Sequence, residues 1–183
     1  MGRIIFVTGG ARSGKSRFAQ QLAQRMGEHI GYVATAIAFD DEMKDRIAKH
    51  KKDRPQNWKT WERYKDVYKI YAGLDSQRGI LIDCITVMVS NLLLDMQPTD
   101  DGTMAWVDRA EAYITGQVQA LLKAAVEADV TTIMVSNEVG LGLVPDNRLG
   151  RLFRDIAGRV NQLIASASHD VYLVVSGIPV KIK

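Results

Sequence analysis

The sequence predicts an α/β protein with a mostly parallel sheet, helices on both faces and a short antiparallel edge strand. Short apolar, β-branched runs recur at Ile4–Thr8, Ile30–Ala34, Gly79–Ile82, Thr131–Ser136 and Val171–Ser176. Each is nearly continuous in apolar character, as strands buried on both faces are. Helical patterns lie between most of them. The first run leads through a glycine-rich turn into Gly14–Arg25. Met104–Ala128 carries Val107, Ile114, Val118, Leu121 and Ala125 on one stripe. Asn147–Ser168 carries Leu149, Phe153, Ile156, Val160, Leu163 and Ala167 in the same way. Alternation of this kind implies crossover connections and a parallel sheet. The end, Ser176 to Ile182, reads as a turn into a short final strand that pairs antiparallel at an edge. Two stretches break the regularity: the charged, aromatic Asp40–Trp61 and the polar loop Gln97–Thr103. Within the first, Asp40–Lys51 reads as a short amphipathic helix capped by Asp40, with Met43, Ile47 and His50 in register and Pro55 limiting its extent.

Composition bounds the function. The 183 residues fit one domain spanning 1–183, and the 46% apolar fraction is enough for a sizeable core. The single cysteine, Cys84, excludes an intramolecular disulfide framework and suits a reducing compartment. The apolar run after Met1 is too short for a signal core, and no run approaches the roughly 18 apolar residues of a membrane span. A cytoplasmic protein without membrane insertion is expected. The net charge of +3 is small and spread along the chain. Its one cluster, Lys49 to Arg54, is too short to indicate nucleic acid; it fits a solvated loop or a site for a phosphorylated small molecule.

The chemistry begins at Gly9-Gly10-Ala11-Arg12-Ser13-Gly14-Lys15-Ser16, which fits Gly-x-x-x-x-Gly-Lys-Ser/Thr between a strand and a helix. The glycines let successive backbone N–H groups curl around phosphate oxygens, and the helix N-terminus adds partial positive charge there. Lys15 would reach the terminal phosphates of a nucleoside triphosphate, and the Ser16 hydroxyl would ligate Mg²⁺. The bland alternative is a glycine-rich turn with no ligand.

Such a loop needs an acidic partner for the metal. Asp83, ending the run Ile80-Leu81-Ile82, matches that role, although a strand-end Asp also serves as a cap or turn former. Glu138, just past the fourth run, is a second candidate at the edge where ligands of open α/β sheets collect. His50 falls at the end of its expected helix. On pattern alone it reads as a partly buried, helix-terminal histidine. The functional reading is also open: a neutral imidazole attacks phosphorus and carries a phosphoryl or nucleotidyl group, and flanking Lys and Arg stabilise the phosphate.

Taken together, these residues resemble the bifunctional adenosylcobinamide kinase/adenosylcobinamide-phosphate guanylyltransferase family of cobalamin biosynthesis. The resemblance runs over nearly the whole chain. It rests on Val7 to Ser16, on Asp41-Glu42-Met43, Arg46-Ile47, His50, Arg54-Pro55, Trp58, Thr60 and Glu62, and on Asp83-Cys84-Ile85-Thr86 with Asn91-Leu92-Leu93. It closes with Ser136-Asn137-Glu138-Val139-Gly140, Val144-Pro145, Phe153-Arg154-Asp155, Gly158, Asn161-Gln162 and Gly177. The His50 segment together with Ser-Asn-Glu-Val-Gly is far more specific than the phosphate loop.

The resemblance implies a RecA-like phosphate-loop fold, a homotrimer and two reactions. In one, ATP or GTP phosphorylates the aminopropanol hydroxyl of adenosylcobinamide. In the other, GMP passes from GTP to the matching histidine, His50, and then to adenosylcobinamide phosphate, releasing pyrophosphate and giving adenosyl-GDP-cobinamide. It also implies guanine-nucleotide contacts at the phosphate loop, at Ala34, Thr35 and Ala36, at Lys51, Lys52, Asp53 and Arg54, at Glu62 and at Asp83. Two positions depart from some members: Lys49 replaces a second histidine and Asp83 replaces Glu. The two reactions attack different phosphorus atoms, so one loop serves two binding registers or the His50 segment moves. Three alternatives stand beside this reading: a guanylyltransferase without kinase function, a simple small-molecule kinase without a covalent intermediate, and a nucleotide-dependent switch or assembly module.

Overall fold

The computed structural model describes residues 1–37, 44, 55, 57–96 and 104–183. Strand β1 (Arg3–Gly9) leads into helix α1 (Lys15–Gln24) and strand β2 (Ile30–Ala34). Strand β3 (Lys59–Glu62) and a 3-10 helix (Val67–Gly73) precede strand β4 (Gly79–Asp83) and helix α2 (Ile85–Asp95). Helix α3 (Met104–Glu127), strand β5 (Thr131–Asn137), helix α4 (Arg148–Ala167), strand β6 (Asp170–Val175) and strand β7 (Ile178–Lys181) complete the order. The five strands read from apolar runs all form. Both longer helices start and stop within a residue or so of their expected ends. Asn147 caps α4 by accepting from the Gly150 N–H at 2.6 Å, which satisfies one of the orphan donors of the first turn.

The strands form one sheet in the order β3-β2-β4-β5-β1-β6-β7. Every neighbouring pair is parallel except β6 and β7, which pair antiparallel at the edge as expected. β1 and β4, which carry the phosphate loop and Asp83, are not neighbours; β5 runs between them. This is the RecA-like arrangement. Register brings the functional positions to one edge. Gly9 lies opposite Asn137, Asp83 opposite Ala34, and Ala34 opposite Glu62.

The sheet separates two cores. Among the described residues one face carries α1, which packs Ala19 and Ala23 with Trp58 on Ile5, Val7, Tyr32, Leu81, Ile133 and Val135. The other is the larger core, where α2, α3 and α4 cover residues such as Ile4, Phe6, Ile80, Ile82 and Met134.

Two elements escaped the sequence reading. β3 lies inside a stretch read as irregular. It forms at the sheet edge because the Trp61 ring packs over Gly31, where an added Cβ would come within 2.5 Å of it. α2 shows no stripe in sequence because Ile85, Met88, Val89, Leu92 and Leu93 are all buried, leaving the pattern nearly continuous. The expected helix at Asp40–Lys51 and the loop Gln97–Thr103 lie outside the described residues, apart from Lys44.

Candidate active site

The phosphate loop takes its shape from a few local constraints. Gly9 is pressed against its neighbours: an added Cβ would meet the Val174 carbonyl oxygen at 2.4 Å and Ser13 Oγ at 2.7 Å. Gly14 sits at φ 92°, and a Cβ there would come within 3.1 Å of Gly177 Cα. Arg12 joins it in the left-handed region at φ 56°. This alternation of backbone hands turns successive N–H groups toward one concavity. The Ser13 N–H closes a turn onto the Gly10 carbonyl at 3.2 Å, and the Gly177 N–H donates to the Ser13 carbonyl at 2.8 Å. The tip of the β6–β7 hairpin therefore braces the loop from behind.

The concavity is polar and incompletely satisfied. No side chain caps the first turn of α1, so its N–H groups point into the loop. Lys15 is buried and donates to the Gly10 carbonyl at 2.9 Å. The Ser13 hydroxyl is buried without a hydrogen-bond partner among the described residues. A buried orphan hydroxyl beside a buried ammonium is a costly arrangement for an empty turn and a suitable one for an anion.

Asp83 faces this loop from β4. Ser16 Oγ donates to its Oδ1 at 3.5 Å, and the Tyr32 hydroxyl donates to its Oδ2 at 3.4 Å. The next residues are clamped from β2. The Cys84 N–H donates to Thr35 Oγ1 at 2.9 Å, and the same hydroxyl donates to the Cys84 carbonyl at 2.7 Å. Asn91 of α2 donates to the Thr35 carbonyl at 2.8 Å. Burial, with the Asp83 carboxylate next to it, pushes the Cys84 thiol up to about 11. That keeps it protonated and unreactive near neutral pH.

The end of β5 is held just as firmly. Thr86 Oγ1 accepts from the Asn137 N–H at 2.5 Å, and Asn161 Nδ2 donates to the Asn137 carbonyl at 3.0 Å. Ser136 Oγ donates to Asn161 Oδ1 at 2.7 Å and lies 3.0 Å from the Thr86 hydroxyl. The following Glu138 N–H donates to the Gly9 carbonyl at 3.0 Å, tying β5 to the start of the loop. The Glu138 carboxylate closes its own turn by accepting from the Gly140 N–H at 2.7 Å.

Thus the structure brings Gly9 to Ser16 and Asp83 into one site. Ala34 ends β2 and Thr35 and Ala36 follow it, next to Asp83; Thr35 is only 1% exposed, with its hydroxyl engaged by Cys84, its N–H by the Asp83 carbonyl and its carbonyl by Asn91, so the partly exposed Ala34 and Ala36 are what can face a ligand. Glu62 ends β3, four strand spacings or roughly 19 Å from β1, too far to share a phosphate with the loop. It can meet only the far end of a nucleotide or a different ligand. His50, Lys51, Lys52, Asp53 and Arg54 lie outside the described residues.

Residues 5–182 match the family described as cobinamide kinase / cobinamide phosphate guanyltransferase. The chain belongs to this family. It is accordingly an enzyme of cobalamin biosynthesis with the family's kinase and guanyltransferase activities. The bifunctional adenosylcobalamin biosynthesis protein CobU of Escherichia coli is 45% identical over 181 residues, 98% of this chain and 99% of that one. CobU of Salmonella typhimurium is 47% identical over 182 residues, covering 98% and 99%. CobP of Pseudomonas aeruginosa is 39% identical over 181 residues, covering 97% and 95%. Two solved structures lie at fold-level distance. A KaiC-like protein from Pyrococcus horikoshii has TM-score 0.48 at 16% identity, covering 94% of this chain and 70% of that one. The flagellar accessory protein FlaH from Methanocaldococcus jannaschii has TM-score 0.49 at 15% identity, covering 100% and 78%.

Family membership fits the site but does not account for every residue in it. Tyr32, Thr86 and Asn161 take part in holding it; Thr86 and Asn161 entered the sequence reading only within the motifs of the resemblance, without a role, and Tyr32 was not named in it. A signal existed for α2: Thr86, Ser90 and Asn91 are polar positions in a largely apolar segment, and the two that are buried, Thr86 and Asn91, require partners.

Proposed function

We propose that one phosphate-loop site serves both family reactions and that His50 carries the GMP between them. The observation that carries the nucleotide half is the loop itself, with Lys15 buried and Asp83 facing Ser16 at 3.5 Å. ATP or GTP lies with its phosphates against the N–H groups of residues 10–16, and Lys15 neutralises the terminal phosphates. Ser16 and Asp83 fit Mg²⁺: they are hard oxygen donors on one side of the loop, few enough to leave positions for water and phosphate oxygens. Among the described residues no cluster of three or more His, Cys, Asp or Glu offers a closed metal cage. The ion, when bound, neutralises charge on the phosphates. Tyr32 keeps the Asp83 carboxylate turned toward Ser16.

In the kinase reaction the acceptor hydroxyl oxygen bonds to the γ-phosphorus while the β,γ-bridging P–O bond breaks. The nucleoside diphosphate leaves with the bonding pair, and the hydroxyl proton is released. In the guanylyl reaction an imidazole nitrogen of His50 bonds to the α-phosphorus of GTP and pyrophosphate leaves. A phosphate oxygen of adenosylcobinamide phosphate then displaces the imidazole, forming the diphosphate of adenosyl-GDP-cobinamide. Lys51, Lys52, Asp53 and Arg54 sit beside His50 in sequence, where the cations favour a phosphate. Glu62, with Ala34 and Ala36, suits the nucleoside end of GTP, and Thr35 holds that segment in place. The active form is a homotrimer of single domains, as the resemblance implies. Among the described residues no helix is long and apolar enough to cross a membrane.

The test is incubation with GTP labelled at the α-phosphate. Label that survives denaturation, is released by acid but not base, and disappears in His50→Ala is expected. A wild-type protein that takes up no label would remove the covalent route. Full activity of His50→Ala on both substrates would instead favour a simple kinase.

A further inference from the structure

We propose that Asn137 is a further active-site residue, whose carboxamide donates a hydrogen bond to the terminal phosphate of the nucleotide and serves the kinase step more than guanylyl transfer. This rests on the phosphate-loop reading above and adds a residue to it.

Three observations place it. Side chains alternate along a strand. On β5, Ile133 and Val135 pack in the α1-side core, so Asn137 falls on that same face. Asp83 shares that parity with Leu81 on β4, and Gly9 shares it with Val7 on β1. Asn137 therefore projects from the strand between the loop and Asp83, on the side where α1 begins. Register puts Asn137 directly opposite Gly9, and two residues beyond Val135, the partner of Asp83. Strand spacing then sets its Cα about 5 Å from Gly9 and about 8 Å from Asp83.

The second observation is how firmly its backbone is held. Thr86 takes its N–H and Asn161 its carbonyl, and the next N–H is bonded to Gly9. Its main chain is thus fixed by a buried polar network drawn from α2 and α4, on the opposite face of the sheet. A side chain that must meet a substrate within a few tenths of an ångström needs a fixed main chain of this kind.

The third is the contrast with its neighbours. Ser136, Thr86 and Asn161 bond one another, and Glu138 bonds Gly140. Among the described residues the Asn137 carboxamide has no hydrogen-bond partner, and the residue is only partly buried. A carboxamide donor without charge can follow the γ-phosphate oxygens as they flatten toward the transition state. When the α-phosphorus is attacked, that same phosphate is the far end of the leaving pyrophosphate, removed from the bond that breaks, so the hydrogen bond strengthens less in that transition state.

The experiment measures both reactions in Asn137→Ala and in the isosteric Asn137→Asp. Removing one donor to a charged phosphate oxygen is expected to lower kinase kcat roughly 10- to 100-fold, with the KM for nucleotide within about threefold. The ratio of kinase to guanylyl transfer falls about tenfold or more. Asn137→Asp loses at least as much, because a carboxylate cannot donate and repels the phosphate. Asn137→Gln recovers part of the rate. Asn161→Ala, which frees the Asn137 carbonyl, lowers the melting temperature and lowers the ratio of the two reactions less than Asn137→Ala does. An unchanged kinase kcat in Asn137→Asp, or an equal fall of both reactions, overturns the proposal; the Asp variant decides if the Ala variant does not fold. Lys15→Ala is measured in parallel. If Lys15→Ala is inactive and Asn137→Asp keeps the wild-type kinase kcat, Asn137 has no role but the site reading stands. If Lys15→Ala keeps wild-type rates, the site reading itself fails.

Discussion

At the carboxyl edge of the sheet, the two faces use the same residue types in opposite ways. On the face covered by α2, α3 and α4, the polar groups Thr86, Ser136 and Asn161 bond one another within a buried network. On the α1 face, Lys15, Ser16, Asp83 and Asn137 converge on the phosphate loop, with a buried Ser13 hydroxyl left without a partner. Asn161 and Asn137 touch through a single hydrogen bond, yet Asn161 is 8% exposed with both ends of its amide engaged while Asn137 offers its own to the loop side. Scaffold and chemistry thus separate within one polar motif by whether each group's hydrogen bonds are filled. Satisfied groups fix the backbone; unsatisfied groups wait for a ligand.

The largest effect is expected from the open face: Asp83→Asn should lower both reactions by about 10²- to 10³-fold, since it weakens the site at the phosphates. Its melting temperature should stay near the wild-type value. Steady-state rates beside a melting curve check this, and a variant that loses stability but keeps activity would reverse the assignment of faces. The closed face should behave the other way. Asn161→Leu or Thr86→Val leaves buried partners unsatisfied and should cost about 1–3 kcal/mol in denaturant unfolding. Nucleotide KM should change far less than in the Asp83 variant.

A smaller effect lies at the far edge, where Asp170 is 6% exposed and joins Arg3 on β1 to Lys181 on β7. Hydrogen bonds from Lys181 first, then Arg3, hold its carboxyl below the ordinary value of 3.8. A depressed carboxyl pKa contributes stability that is present above about pH 4 and lost as pH falls through the lowered value. Asp170→Asn should therefore unfold more easily than wild type at pH 7, by about 1–2 kcal/mol, with the gap closing in acid. Denaturant midpoints at pH 7 and pH 3 measure it. The smallest effect is at Cys84. Its raised pKa and burial predict slow alkylation by iodoacetamide at pH 8 in the folded protein and little change in activity for Cys84→Ala; rapid labelling would contradict that.

Much of this was legible in the residues. Strand-length apolar runs, the loop between strand and helix, and Asp83 at the end of a run all name their places because each is a local pattern. What was not legible depended on packing. β3 owes its position to Trp61 over Gly31, and α2 hid its helix in an unbroken apolar run. Tyr32 reads as an ordinary strand aromatic until the sheet sets its hydroxyl beside Asp83. Asn137 and Asn161 look alike in sequence; only the pleat and the register separate them. Glu62 and Asp83 end strands that both flank β2, and only the sheet order shows Glu62 to be remote from the loop.

Whether a single phosphate loop serves both transfers is decided by competition. The β,γ-imido analogue of GTP keeps the α,β anhydride but cannot give up its γ-phosphate. It should support guanylyl transfer to adenosylcobinamide phosphate and inhibit the kinase reaction competitively against the triphosphate donor. Kinase activity that persists uninhibited at analogue concentrations saturating guanylyl transfer would mean two separate nucleotide sites, and would contradict the account.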